Sequence, residues 1–201
     1  MDSCIILQPA KVIPERPFSH PQASTSDVDA MQTVIAELRA LLDRSDKPSP
    51  HYLDRQEANG ITRRIAVPDW PTLGRHHRPV AVGFFGQLRG DVDPAPVHEL
   101  EKDLLVQLTD VPGVLAYHDR FGNGQDYSRL VLLRSERAKA RWRNNSLHDR
   151  AVRLSHRHYV SVRLHNGILS GGLQGDNDLT LVRTKYYDFH NGDLWRAVRE
   201  F

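Results

Sequence analysis

Histidine is the residue type in this sequence with the clearest chemical potential, and His148 is its strongest representative. It lies in the stretch RWRNNSLHDRAVRLSHRHY, residues 141–159, where Ser146 followed by Asp149 has the pattern of a helix N-cap. His148 would then stand in the first helical turn, where the helix dipole disfavours the imidazolium ion. A neutral imidazole is suited to general-base catalysis or to binding a metal or haem iron. A half-exposed histidine that only fills space near the cap is the plainer alternative.

Tyr117 and His118 are adjacent in the stretch YHDRF and are candidates to share a site with His148. Alternation along a strand puts them on opposite faces, so they compete for one pocket. Tyr117 or Gln87 is a candidate to orient a developing oxyanion. His118 is a candidate axial ligand for haem, with a hydrogen-bonded structural histidine as the alternative.

Three further side chains are candidates for substrate binding. Trp142 stands four residues after Ala138, a spacing typical of core packing, with cavity lining as the alternative. Phe85 lies on the second apolar side of the stretch VGFFGQLR. Arg163 projects from the polar side of an alternating strand, which is either a wet face or the wall of an anion pocket.

The sequence predicts no metal site. His156 and His158 would point the same way in an extended chain, but a third ligand, Asp149 or His165, would have to come from elsewhere in the fold. The pair His76–His77 is a weaker signal still. The sequence also lacks a phosphate-binding loop, a dinucleotide fingerprint, a nucleophile elbow, a CxxC pair and a zinc-protease motif.

Composition limits the classes of function. The chain has 201 residues, 39% of them hydrophobic, and 27 basic against 25 acidic side chains, a net charge of +2. This balance argues against nonspecific nucleic-acid binding, which needs a large positive excess. No stretch approaches the ~18 apolar residues of a membrane span. With Cys4 as the single cysteine and no signal-peptide pattern, we expect a cytoplasmic protein without nucleic-acid or membrane partners.

The N-terminal part, residues 1–78, is predicted to be an arm and one helix. Residues 1–26 are rich in proline and serine and suggest an extended arm. The stretch SDVDAMQTVIAELRALLDRSDKP has apolar residues at helical spacing, with Ser26 as its predicted cap. Residues 49–78 have no regular pattern and are predicted to be irregular.

The main domain is predicted to span residues 79–201. Its strands are expected at PVAVGFFGQLR, VLAYHDRF, YSRLVLLRS, HYVSVRLHNG and LTLVRTKYYDF. Its helices are expected at DPAPVHELEKDLLVQLTDVPG, in a segment capped by Ser135 and broken at Asn144–Asn145, and at DLWRAVREF. In the fourth strand, one side is predicted to carry Val160, Val162 and Leu164, and the other Tyr159, Ser161, Arg163 and His165.

With one strand treated as an addition, this order is β-α-β-β-α-β, the α+β split unit of ferredoxin-like folds. Two helices cover only one face of such a sheet, yet its first strand is apolar on both sides. A second copy of the chain is the simplest cover, because most homo-oligomers are closed dimers. The sequence therefore predicts a homodimer with a cavity between sheet and helices.

The stretch SRLVLLRSERAKARWRNNSLHDRAV resembles the strand–helix signature of dimeric α+β barrel proteins, the antibiotic-biosynthesis-monooxygenase-like superfamily. The matching features are Leu130–Leu133, Ser135, Trp142, Asn144–Ser146 and His148, and the resemblance covers roughly residues 79–189. It implies a dimeric barrel and a range of activities: cofactor-free oxygenases, haem-degrading oxygenases, haem dehydratases, isomerases and proteins without a known reaction. The haem-degrading type has an asparagine on its first strand, where the nearest amide in this chain is Gln87.

Three hypotheses about function follow from these features. The first is a monooxygenase-like or proton-abstracting enzyme for an apolar or aromatic small molecule, with His148 as base. The second is a haem protein of the same fold, with His148 or His118 as axial ligand. The third is a non-catalytic dimer that binds a ligand or a partner protein.

Overall fold

The computed structural model describes residues 4–108, 111–122, 126–175, 178–190 and 194–201, and the strands among them form one nine-stranded sheet. The strands are Ile5–Leu7 (β1), His51–Gln56 (β2), Thr62–Val67 (β3), Val80–Leu88 (β4), Val114–Phe121 (β5), Asp126–Leu133 (β6), Tyr159–Ser170 (β7), Asp178–Asp188 (β8) and Trp195–Glu200 (β9). Their order in the sheet is β1-β9-β8-β7-β4-β6-β5-β3-β2. The helices are Pro21–Leu42 (α1), Trp70–Arg75 (α2), Ala95–Gln107 (α3), Glu136–Arg143 (α4) and Ser146–His158 (α5).

The centre of the sheet is the predicted ferredoxin-like unit. Strands β4, β5, β6 and β7 lie in the order β7-β4-β6-β5 with antiparallel neighbours, and α3 and the pair α4–α5 provide the two connections. This is the arrangement of a split βαβ unit, so the α+β, ferredoxin-like fold is confirmed. The hairpin of β5 and β6 is also as predicted, although residues 123–125 of its turn lie outside the described residues.

Helices α3, α4 and α5 cover one face of the sheet. The predicted stripe of α3 is buried and includes Val97, Leu104 and Leu108. The Ser135 side chain accepts a hydrogen bond from the Ala138 amide, as a helix cap should. The break between α4 and α5 is confirmed, but its cap is Asn145 rather than Ser146, because the Asn145 side chain accepts from the Leu147 amide at 2.9 Å.

Helix α1 covers the opposite face, which the sequence had assigned to a second copy of the chain. It begins at Pro21, five residues before the predicted cap Ser26. Its buried side chains pack into one core with the sheet, a cluster that includes Met31, Ile35, Leu38, Ala81, Leu130 and Leu132. Gly83 permits this close approach, since a Cβ there would lie 2.5 Å from the Met31 sulfur. The apolar face therefore has its cover within the chain.

Polar contacts hold α1 in place. Asp27 accepts hydrogen bonds from His165 at 2.7 Å and from Arg163 at 2.9 Å. Farther along the helix, Glu37 pairs with His118, and Arg39 donates to the carbonyl oxygen of Leu173 at 2.7 Å. Because these partners lie on different strands and loops, the helix has a fixed register on the sheet.

Two predictions about elements are wrong, and the predicted arm takes part in the sheet. Residues 49–78 contain the hairpin of β2 and β3 and the helix α2, not irregular chain. The stretch DLWRAVREF ends in strand β9, not a helix, because its backbone pairs with both β8 and β1. The arm is ordered at that edge, where β1 runs parallel to β9.

The boundary between residues 78 and 79 stays a prediction. Strands from both sides of it share the sheet, since β3 pairs with β5 and β1 with β9. Among the described residues, no helix combines the length and hydropathy that crossing a bilayer requires.

Candidate functional site

A cavity of about 720 Å³ lies on the side of the sheet that carries α3 and α5. This volume is in the range of small-molecule sites in proteins. Most of its wall is apolar and includes Phe84, Val97, Leu100, Val162, Leu164 and Phe189. Strands β4, β7 and β8 supply the floor, while α3 and α5 supply the sides.

His148 lies in the cavity wall, at the third residue of α5. Burial, and next the positive charge of Arg129, lower the pKa of His148 to about 4. Its ring meets the Trp142 ring edge to face, with centroids 5.7 Å apart. Its Nδ1 atom is buried and has no hydrogen-bond partner among the described residues. The cavity wall therefore contains a neutral imidazole.

Tyr159 reaches the same cavity because of a β-bulge. Between Gln87 and Leu88, strand β7 has one extra residue opposite β4, so Leu88 pairs with Tyr159 and Gln87 with Ser161. The bulge turns Tyr159 toward Phe84, with ring centroids 5.3 Å apart, and away from the side of Arg163 where alternation had placed it. A Cβ at residue 86 would lie 2.5 Å from the Tyr159 ring, so this position requires glycine.

Glu101 and Arg129 bring opposite charges to the cavity wall. The Arg129 guanidinium donates to Glu101, and the Tyr127 hydroxyl donates to the same carboxylate. Tyr127 also hydrogen-bonds to Asp119 at 3.0 Å, behind the wall. This cluster is buried, and Arg64 completes it with Nη1 3.6 Å from an Asp119 oxygen.

Asp119 is the member of this cluster that titrates near neutrality. Burial, and next the negative charge of Glu101, raise the pKa of Asp119 to about 6, although Arg129 and Arg64 act in the other direction. Burial also raises the pKa of Tyr117 and of Tyr127 well above the usual value, so both hydroxyls stay protonated. The cluster thus holds a carboxyl group that can exchange a proton close to the cavity.

Two of the predicted residues lie behind the wall. Tyr117 is fully buried, donates to Asp119 at 3.1 Å and lies beneath the Arg129 guanidinium, whose central carbon is 5.5 Å from the ring centroid. Trp142 is buried in the core between the sheet and α4, where it packs against the His148 ring.

Gln87, Phe85 and Arg163 lie on the α1 side of the sheet and are not brought together with His148. They border a separate space of about 430 Å³ next to Asp27. The charge of Arg163 is already met there, because its guanidinium donates to both oxygens of Asp27. We therefore place these three residues outside the candidate site.

His118 also faces α1, and its surroundings do not fit a haem group. Its Nε2 atom lies 3.3 Å from a Glu37 oxygen, and the residue is 2% exposed. The space beside it measures only about 10 Å³, far too little for a porphyrin. Of the two predicted axial ligands, only His148 borders a large cavity.

The interpretation of His156 and His158 as an extended pair is wrong, because both belong to the last turn of α5. Side chains two residues apart in a helix point in different directions. His156 borders the cavity, whereas His158 is buried. Within the described ranges, no three histidine, cysteine or acidic side chains are grouped to hold a metal ion.

Sequence reasoning missed Glu101 and Arg129, although each interrupts an apolar pattern. Glu101 stands four residues after Val97, on the buried side of α3. Arg129 lies between Tyr127 and Val131 on the inward face of β6. A charged residue at a core position is a signal of a buried pair or a site, since charges are almost never buried alone.

Comparisons with known proteins add one similarity at the level of structure. No protein-family model matches the chain, and no curated protein matches it in sequence. A solved structure from Listeria monocytogenes 4b F2365, described as an uncharacterized ferredoxin fold protein related to antibiotic biosynthesis monooxygenases, is 12% identical, with a TM-score of 0.36. The match covers 68% of this chain and 88% of that one. The fold assignment above depends on the strand order and not on this similarity.

Proposed function

We propose that the chain is an enzyme that takes a small, mainly apolar molecule into the cavity and removes a proton from it with His148. The observation that carries this proposal is a neutral, half-buried imidazole in the wall of a cavity of about 720 Å³. Apolar walls with a few convergent polar groups are the usual composition of small-molecule sites.

The low pKa of His148 defines the kind of proton it would remove. With a pKa of about 4, the imidazole is unprotonated at neutral pH and ready to accept a proton. The same low value makes it a weak base, so it suits a proton that is already acidic, such as a C–H group next to carbonyls or a phenol. An anion formed beside Arg129 would offset the positive charge that lowers this pKa.

Tyr159 and Arg129 are the groups that we assign to holding the developing oxyanion. Both line the cavity. Burial raises the pKa of Tyr159 far above its usual range, so its hydroxyl stays protonated and can donate. They take the role first considered for Tyr117 and Gln87. The resulting carbanion would add to dioxygen to form a peroxide, and loss of hydroxide from the peroxide would leave a carbonyl group at that carbon. One oxygen atom thus enters the product and the other leaves as water, which is monooxygenase-like, oxidoreductase chemistry; the residues of the chain supply binding and proton transfer.

A binding protein without catalysis is the second candidate, and the weak basicity of His148 favours it. One experiment separates the two: hydrogen–deuterium exchange at the acidic carbon of benzoylacetone, followed by NMR in heavy water. We expect the protein to accelerate exchange, and His148→Ala to lower the rate about a hundredfold. The matched control is His77→Ala, since His77 is exposed in a loop.

The pH profile provides a second readout of the same experiment. Because only the unprotonated imidazole accepts a proton, the catalysed rate should rise through a pH of about 4 and stay level above it. An unchanged rate in His148→Ala would remove His148 from the mechanism, whereas binding of benzoylacetone without any acceleration by wild type would leave ligand binding as the function.

A further inference from the structure

The charges in the cavity wall are unequal, and this inequality indicates the chemical class of the ligand. Arg89, Arg129 and Arg196 line the cavity, while Glu101 is its one acidic residue within the described ranges. His148 adds no charge at neutral pH because its pKa is about 4. Arginines therefore outnumber acidic residues in the wall of this mainly apolar chamber.

Arg129 already has its counter-charge. Its guanidinium donates to Glu101 and to the Tyr127 hydroxyl, the latter at 3.2 Å. Both Arg129 and Glu101 are largely enclosed by protein. This pairing compensates most of the Arg129 charge, so Arg129 can donate a hydrogen bond to an oxyanion but adds little to the excess positive charge of the cavity.

Arg89 has no such partner. Its Nη2 atom donates to the carbonyl oxygen of Phe189 at 2.6 Å, and no described carboxylate lies within ion-pair distance of it. A carbonyl group accepts a hydrogen bond from the guanidinium but does not neutralise its positive charge. Arg89 is half-buried next to apolar walls, where the dielectric constant is low. The electrostatic attraction between its charge and an anion is therefore stronger than it would be in water. Arg196, on β9, adds a second guanidinium to the same cavity.

We propose that the ligand is an apolar molecule that carries one negative charge, a carboxylate, sulfonate or phenolate, held by Arg89. The guanidinium fork matches the oxygen pair of a carboxylate or sulfonate in charge and geometry, and it can donate to the single oxygen of a phenolate. The inference deepens the proposed function, because it rests on the same cavity as the ligand site. It requires neither His148 nor any chemical step.

The test compares two fluorescent probes with the same ring system: anilinonaphthalene sulfonate, which is anionic, and N-phenylnaphthylamine, which is uncharged. Dissociation constants are measured by fluorescence titration of the full chain. We expect the anionic probe to bind at least about tenfold more tightly. Arg89→Gln should remove most of this preference and leave the affinity for the neutral probe unchanged. Arg137→Gln removes the same charge from the exposed surface of α4 and should change neither affinity.

The wild-type chain alone provides a check that does not depend on the folding of a variant. Raising the salt concentration should weaken the binding of the anionic probe and leave the binding of the neutral probe unchanged. Equal affinities for the two probes, or a preference that survives Arg89→Gln, would overturn the proposal while the cavity remains a ligand site. Failure of both probes to bind would instead contradict the proposed function as well.

Discussion

Glu101 and Arg129 form an ion pair at positions where the patterns of α3 and β6 call for apolar side chains. Burying such a pair is costly unless the geometry and additional hydrogen bonds compensate. Tyr127 provides one such bond to Glu101. Because the ion pair lies in the cavity wall, a role in the site explains its presence better than a contribution to stability does.

Removal of one partner should therefore destabilise the fold strongly. We expect Glu101→Leu to lower the free energy of unfolding by about 3–5 kcal/mol, because it leaves Arg129 buried and unpaired. The double variant with Arg129→Leu should recover most of this loss. Urea unfolding measures both values. Arg153→Leu breaks the exposed pair with Asp149 and should cost less than about 1 kcal/mol. Similar losses for the buried and exposed variants would contradict the description of the cluster.

Asp119 gives stability a specific dependence on pH. Its pKa of about 6 in the folded chain lies above the ordinary value of 3.8, so the folded state keeps a proton that the unfolded state has lost. Stability should therefore fall as pH rises from about 4 to about 6, by at most about 3 kcal/mol. Asp119→Asn has no carboxyl group to titrate. Its free energy of unfolding, relative to that of wild type, should therefore rise over the same pH interval. A pH-independent difference in urea midpoint between the two would show that Asp119 has an ordinary pKa.

At the scale of elements, α1 is the helix whose role differs most from expectation. Ile35 is 1% exposed and packs in the core between α1 and the sheet. We expect Ile35→Ala to cost about 2–5 kcal/mol in free energy of unfolding. Gln32→Ala changes an exposed residue of the same helix and should stay within about 0.5 kcal/mol. If the two variants unfolded at the same urea concentration, α1 would not be part of the cooperative core.

The sequence predicts the elements whose pattern comes from one-sided burial. The stripe of Leu100 and Leu104 on α3 is an example, since it needs only local spacing. Strand β9 was mistaken for a helix because its inward residues include Arg199, a buried arginine that donates to Tyr186. Strand β3 was not predicted for a similar reason. From the sequence, Arg64 is expected at the surface, but in the structure its side chain is buried next to acidic residues.

The candidate site was predictable only where one local signal was enough. His148 follows a helix break, and that break is visible in the adjacent asparagines 144 and 145. The location of Tyr159 depends on a bulge in the pairing of β7 with β4, which no pattern within β7 reveals. Pairing across strands is a property of the tertiary fold, so the partners of His148 could not be assigned beforehand.

For the whole molecule, the prediction of a homodimer stays a prediction, but its packing argument no longer applies. That argument required a bare apolar sheet face, and α1 covers this face. A native mass of two chains would therefore indicate an interface elsewhere. The haem hypothesis likewise depends on His148 alone, and a Soret band in the purified protein would support it.

The central claim is that the chamber between the sheet and α3 and α5 is the ligand site. Binding of N-phenylnaphthylamine to wild type and to Ser155→Trp tests it most directly, because Ser155 lines the cavity and a tryptophan side chain there would obstruct it. Ala140→Trp, on the exposed side of α4, is the control. The prediction is saturable binding to wild type and Ala140→Trp, and its loss in Ser155→Trp. Equal binding by a correctly folded Ser155→Trp would contradict the claim.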